Sequence, residues 1–268
     1  MVVLSIVSAK GGVGKTTLAA NLALALGSGQ AGSVVALDLD PQNALRHHLG
    51  VATNDVEGVG RATLEGRSWL SSLYQSGTPE LFALPYGELN EGDRDAFEVH
   101  LSSHPDWLRD GLLAMGLGET DVVVIDTPPG PSLYLQQALR VAQFVLVVVH
   151  ADAASYATMS AMEVLIARYC NDRQNFLGSA YLLNNVNVGS ALSRDVIRVV
   201  RAGLGARVMP TVIHQDESVR EALAFDKLVL QHSPHSEASN DIVQAARWIK
   251  DRLRPLLSGG RDSRVRRL

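Results

Sequence analysis

The stretch Ser8-Ala9-Lys10-Gly11-Gly12-Val13-Gly14-Lys15-Thr16-Thr17 constrains this chain more than any other. An apolar run, Val2 to Ser8, precedes it, and an Ala- and Leu-rich stretch, Lys15 to Gly27, follows. That order predicts a buried strand, a glycine loop and a helix. Such a loop lets backbone N–H groups close around phosphate oxygens while the positive helix end adds a favourable field. Gly11, Gly12 and Gly14 allow the close approach, with Val13 and Thr17 in the same loop. Lys15 is placed to reach the β- and γ-phosphates, and the Thr16 hydroxyl to ligate magnesium. The usual pattern asks for glycine five residues before Gly14, where Ala9 stands. Beside it is a second lysine, Lys10, for which a single nucleotide site has no evident use.

A magnesium–nucleotide site also needs a carboxylate at a neighbouring strand end, because this cation takes oxygen ligands and keeps several waters. Asp126 fits, closing DVVVID (121–126) ahead of the turn Thr127-Pro128-Pro129-Gly130. A further acidic element is DLDPQ, Asp38 to Gln42. Asp38 closes the run SVVALD (33–38) and Asp40 lies two residues on, so one carboxylate can face the magnesium shell while the other approaches the γ-phosphate and the attacking water. Without the glycine loop, the same residues would read as an acidic turn before a helix, with Pro41 at its first position.

Further strand candidates are Leu81 to Leu84, Phe144 to Val149, Ala180 to Leu183 and Val208 to Ile213. Helical stretches are expected at Ser155 to Tyr169, Ser190 to Ala202, Ser218 to Phe225 and Asp241 to Leu257. Near-continuous Val/Ile/Leu strands alternating with helices indicate an α/β fold, doubly wound, with a mostly parallel sheet covered on both faces. The middle, about 53 to 118, carries turn signals such as Gly77-Thr78-Pro79 and is expected to supply short helices and one strand. One domain over 1–257 is expected, with 258–268 a disordered basic tail.

With 46% apolar and 19% charged residues, the 268-residue chain has a soluble globular balance, and no apolar run approaches the roughly 18 residues that span a bilayer. MVVLSIVSAK lacks a basic leader, so a cytoplasmic protein is expected. The single Cys170 excludes an internal disulfide and a cysteine-built zinc site. A net charge of −4 gives no global drive toward nucleic acid or acidic lipid. Since arginine supplies 20 of the 24 basic residues, two lysines five residues apart mark positions suited to an ammonium group.

AKGGVGKTT, LDLDPQN and VIDTPPG together resemble the deviant P-loop ATPases of the MinD/ParA family, over about residues 1 to 257. In that family the first loop glycine is dispensable, and an extra lysine crosses the interface of an ATP-bound homodimer to touch the partner's nucleotide; Lys10 occupies that position. The resemblance implies catalytic roles for Lys10, Lys15 and Asp40, with Asp40 positioning or polarising the attacking water. Thr16 and Asp126 belong to the magnesium shell, with Asp38 there as an orienting group. The adenine contacts are implied at Asn184, with Asn185 as the alternative, and in the segment from Pro210 to Glu217. His214 stands there where many relatives have proline.

IHQDESVREALAFDKLVL (213–230), RATLEGRSWL (61–70) and ELFALPYGEL (80–89) are similar to the BcsQ branch, the MinD-like proteins of bacterial cellulose-synthase operons. This implies a weak ATPase acting as a dimeric switch with ATP and Mg²⁺, with other cellulose-secretion (Bcs) proteins as partners and recruitment to the inner membrane or a cell pole through them. The alternatives are a ParA-type partition ATPase, which would bind DNA nonspecifically through Arg247, Arg252, Arg254 and the tail, and a MinD-like membrane-associated ATPase. Burial against the sheet is the expected fate of Ile242, Val243, Ala246, Ile249, Leu253 and Leu256, which leaves no apolar helix face for direct membrane contact.

Overall fold

The computed structural model describes residues 1–29 and 31–257; the tail expected at 258–268 lies outside them. A seven-stranded sheet is built from β1 (Val2–Val7), β2 (Val34–Asp38), β3 (Tyr74–Gln75), β4 (Leu81–Leu84), β5 (Val122–Asp126), β6 (Phe144–His150) and β7 (Gly178–Asn184). Its order is β3-β4-β2-β5-β1-β6-β7, and every pairing is parallel except β3 with β4. This is the doubly wound, mostly parallel α/β architecture expected from the alternating pattern.

Successive side chains of a strand face opposite sides, and here both sides are apolar. Val2, Leu4 and Ile6 of β1, with Val34 and Ala36 of β2 and Val122 and Val124 of β5, pack with the helices Lys15–Gly27 and Glu237–Leu257. The alternate residues Val3, Val35, Leu37, Val123 and Ile125 join Phe97, Leu101, Trp107 and Leu112 of the helices Glu91–Ser103 and Trp107–Ala114. On that same face, β6 and β7 pack with Met159, Met162, Ile166 and Cys170 of the helix Ala153–Cys170. Cys170 is therefore a small buried core residue.

The strand expected at Val208 to Ile213 does not form. The segment runs beside β7, with Met209 N–H donating to the Tyr181 carbonyl and Ile213 N–H to that of Leu183, but only isolated bridges result. Pro210, between those two donors, has no N–H to give the ladder. The middle of the chain supplies β4 as expected and also the short antiparallel edge β3, which two residues were too few to announce. The last helix begins at Glu237 rather than Asp241, which places Asp241 a full turn inside it. Among the described residues no helix is long and apolar enough to cross a membrane.

Candidate functional site

The sheet order makes the chain wind outward on either side of β1, and ligands of open α/β sheets bind outside the strand carboxyl ends at such a reversal. The loop Ser8–Gly14 leaves β1 there and enters the helix Lys15–Gly27. Gly14 caps that helix with φ 86°, a left-handed conformation that strains any residue with a Cβ, and a Cβ would also run into Asn184 Nδ2. The cap makes no side-chain hydrogen bond, so the first turn's N–H groups face no competing side chain there. The turn after β5 is tied to the end of β1 by two bonds. Thr127 Oγ1 donates to the Ile6 carbonyl at 2.8 Å, and Gly130 N–H to that of Ser8 at 2.9 Å.

Register brings the acidic residues together. β2 and β5 pair in parallel with Asp38 opposite Asp126, and both carboxylates are completely buried. Burial pushes Asp126 up to about 7, against the pull of the Thr16 hydroxyl and the Lys15 charge. Asp38 is raised well above the usual carboxylate range, by burial first and then by Asp126. Lys15 is only 6% exposed. Its burial lowers the ammonium's pKa, while Asp126, Asp40 and Asp38 act to keep it charged. Two acids and one lysine thus share a region with little water, where a further positive charge would relieve the carboxylates.

The two carboxylates are occupied differently. Asp38 accepts Asp40 N–H on Oδ1 at 2.8 Å and Leu45 N–H on Oδ2 at 3.0 Å, so it holds the loop that follows β2. Asp126 Oδ1 accepts Thr127 N–H at 3.1 Å, whereas its buried Oδ2 accepts no hydrogen bond of normal geometry. An oxygen ligand left open beside the Thr16 hydroxyl suits a hard cation such as magnesium. That geometry favours Asp126 and Thr16 as ligands and Asp38 as the group that orients the loop. Asp40 is half-buried on a turn in which its Oδ1 accepts Gln42 N–H at 2.9 Å and its carbonyl accepts Asn43 N–H at 2.8 Å.

Lys10 departs from this buried group. Its side chain is 43% exposed, and its Nζ lies 3.3 Å from Asp152 Oδ2. Asp152 also caps the helix Ala153–Cys170 by accepting Ser155 N–H at 2.6 Å, and His150 Nδ1 stands 3.8 Å from it. Burial alone would raise the Asp152 carboxyl, but Ser155 and then Lys10 outweigh it and hold it below the usual range. The 142 residues between Lys10 and Asp152 hide this pairing from the sequence.

At the other end of the site, Asn184 closes β7 and donates from Nδ2 to the Val13 carbonyl at 2.7 Å, bracing the glycine loop. Asn185, the alternative, takes φ 55°. Pro210 is exposed, its carbonyl accepting from Arg201 at 3.2 Å. His214 pairs with Val186, two residues past Asn184, and its Nδ1 lies 2.8 Å from Asp241 Oδ2 and 3.4 Å from Glu237 Oε1. Asp241 went unnoticed in the sequence because its apparent place was a helix start. No group of three or more His, Cys, Asp or Glu that could hold a metal ion occurs among the described residues, so a magnesium site would rest on a hydroxyl and one carboxylate with nucleotide and water.

Residues 1–249 match the family described as Cellulose biosynthesis protein BcsQ. The BcsQ of Escherichia coli K12 is 27% identical over 252 residues, covering 92% of this chain and 94% of that protein. The chromosome-partitioning ATPase Soj of Thermus thermophilus is 30% identical over 257 residues, covering 93% and 96%. Among solved structures, the Cyanothece McdA(D38A)–ATP complex superposes with a TM-score of 0.77 at 20% identity, covering 94% of this chain and 96% of that one. The septum site-determining protein MinD with Mg-ADP from Pyrococcus horikoshii gives 0.73 at 23%, covering 92% and 95%. These likenesses agree with the winding of the sheet and the glycine loop at its reversal, and the chain belongs to the BcsQ family of cellulose biosynthesis proteins, within the wider MinD/ParA group of ATPases.

Proposed function

We propose that this chain is an ATP-dependent dimeric switch, a weak ATPase whose ATP-bound homodimer supports assembly or placement of a bacterial cellulose-secretion machine. Residues 1–257 act as one ATPase domain in the cytoplasm, brought to the inner membrane or a cell pole by other cellulose-secretion proteins. The observation that carries this reading is the separation of the two lysines. Lys15 is buried among Asp126, Asp40 and Asp38, whereas Lys10 stands on the rim, held by one surface ion pair. Exposed ion pairs are worth about 0–1 kcal/mol, so Lys10 can leave Asp152 at little cost to reach a nucleotide on a second copy.

The residues divide the work as follows. The N–H groups of Gly11 to Thr17 and the Lys15 ammonium bind and orient the phosphates. Magnesium, when bound through Thr16 and Asp126, supplies charge neutralisation at the phosphate oxygens. Asp38 fixes the loop, and Asp40 on that loop orients the attacking water and receives its proton. A lysine from the partner adds positive charge where the leaving phosphate becomes more negative, which couples turnover to dimerisation.

The test in cells is deletion in a cellulose-producing host, complemented with wild type or with Lys15→Ala. Loss of cellulose output and of synthase localisation, restored only by wild type, is expected. Unchanged output and localisation on deletion would contradict the reading.

Similarity to Soj favours a second reading, a partition ATPase that holds DNA through phosphate contacts. Of its candidate arginines, Arg252 lies over the Trp248 ring and Arg254 pairs with Asp251 on the same helix. DNA retention by the purified protein that requires ATP and falls steeply with salt would favour this alternative.

A further inference from the structure

We propose that His150 takes the place of Lys10 beside Asp152 when Lys10 crosses to a second copy of the chain, so that each protomer takes up a proton from solvent as the ATP-bound dimer forms. The inference rests on the dimeric reading above and adds to it a regulation of the same site, a link between pH and assembly.

The geometry is a competition for one oxygen. Asp152 Oδ1 accepts Ser155 N–H at 2.6 Å, and that helix cap keeps the carboxylate in place whether or not Lys10 is near. Its other oxygen, Oδ2, is the one that meets cations. Lys10 Nζ holds it at 3.3 Å, and His150 Nδ1 stands 3.8 Å from the same atom, just outside hydrogen-bond reach. A movement of about 1 Å brings the ring onto Oδ2. The two competitors differ in mobility. Lys10 reaches in on a flexible stem from the loop after β1, whereas His150 is the last residue of β6, paired in register with Asn184 of β7. When Lys10 leaves, His150 stays.

The charge on the ring follows from its neighbours. Burial lowers the His150 pKa, Asp152 raises it and Lys10 lowers it again. Those two side chains are the charged groups that bear on the ring, since Asn184 beside it is uncharged. With Lys10 in place the ring is therefore neutral at pH 7, and its hydrogen sits on Nδ1, facing a carboxylate that can only accept. Departure of Lys10 removes the repelling cation and leaves Oδ2 without a partner. The ring's affinity for a proton rises, and the proton is added at Nε2, which 24% exposure of the side chain leaves within reach of solvent. The carboxylate thereby regains a cation at a face that a second copy would cover, where an unpaired charge is costly.

The first test needs no dimer. Without nucleotide, the His150 ring is titrated by NMR, its signals assigned by their loss in His150→Gln. It is expected to titrate at higher pH in Lys10→Ala than in wild type, and the rise is expected to vanish when Asp152→Asn is added. Equal midpoints in wild type and Lys10→Ala would show that the two cations do not compete. The second test measures the dimerisation constant by sedimentation, with magnesium and a non-hydrolysable ATP analogue, at pH 8 and pH 6. A group that gains its proton on assembly stabilises the dimer at low pH, and that contribution is lost as pH rises. Asp126 titrates in this range as well, but equally in wild type and His150→Gln, so the readout is the difference between those two proteins. Relative to His150→Gln, wild type is expected to gain about tenfold in dimer affinity from pH 8 to pH 6, about threefold for each protomer. An equal pH dependence in the two proteins would overturn the proton uptake. Failure of wild type to dimerise at either pH would instead overturn the dimeric reading itself, and this inference with it.

Discussion

Two rims of the same sheet edge hold their polar groups in different ways. At the ends of β1, β2 and β5, Lys15, Asp38 and Asp126 are almost or wholly buried, and what positions them is backbone: strand register, a left-handed glycine cap and N–H donors from the loop after β2. At the end of β7, two strands from β1, Asn184 and His214 are half-buried and oriented by partners remote in sequence, Val13 and Asp241. The first rim is built for one chemistry and tolerates little change. The second is assembled from side-chain pairs that substitution can retune, which suits the recognition of a base better than the handling of phosphates.

That contrast is broken most severely at Lys15. Lys15→Ala removes a charge-assisted contact to phosphate and is expected to weaken ATP binding roughly a hundredfold, read by titration of a fluorescent ATP analogue. A variant that binds within a fewfold of wild type would mean that the buried rim is not where the phosphates sit.

Gly14→Ala tests where the two rims touch. The left-handed conformation and the collision with Asn184 together are expected to cost about 2–4 kcal/mol in denaturant unfolding. In an Asn184→Ala background, which lacks both the collision partner and the bond to Val13, the same Gly14→Ala change is expected to cost about 1 kcal/mol less than in wild type. An equal cost in the two backgrounds would show that the added methyl does not meet Asn184.

Burial on the side of the first rim also has a pH signature. His48, in the short helix Leu45–His48 that follows DLDPQ, is 6% exposed. Burial, reinforced by His47 and opposed by Asp226, lowers its pKa from 6.5 to about 4. The unfolded chain therefore takes up this proton first, and the stability His48 contributes is full above pH 6.5 and declines as pH falls toward 4. Asp38 and Asp126, whose values are raised, act in the opposite direction, so the readout is the difference between wild type and His48→Gln. That difference is expected to shift by about 2 kcal/mol against wild type between pH 7 and pH 5. A pH-independent difference would place His48 in contact with solvent.

The smallest effect belongs to Asp152. Asp152→Ala removes a helix cap and the partner of Lys10, for a loss of about 1 kcal/mol, while dimerisation with ATP is expected to persist because Lys10 is then unrestrained. Loss of the ATP dimer would give Asp152 a larger part than parking the lysine.

The same contrast explains which features could be read from the sequence. The phosphate rim was legible because glycines, a lysine and strand-terminal aspartates must stand at fixed spacings for backbone to wrap a phosphate, and apolar alternation places those strands in a parallel sheet. The partners of Lys10 and His214 were not. Asp152 and Asp241 are common residues at ordinary helix positions, and only the fold brings them across 142 and 27 residues. Val208 to Ile213 misled for the related reason that its apolar content suits a strand while Pro210 removes the donor a strand needs. Asp38 and Asp126 are both strand-end acids that spacing alone does not separate; the resemblance implied an orienting role for Asp38, and the hydrogen bonds give that difference a physical form, two loop donors on Asp38 and an oxygen to spare on Asp126.

The central claim is that Lys10 acts across two copies of the chain, and light scattering of wild type, Asp40→Ala and Lys10→Ala with ATP and magnesium tests it most directly. Asp40→Ala is expected to bind ATP without turning it over and to run as a stable dimer, and Lys10→Ala to run as a monomer that still binds ATP. A Lys10→Ala protein that dimerises and hydrolyses ATP as wild type does would contradict the claim.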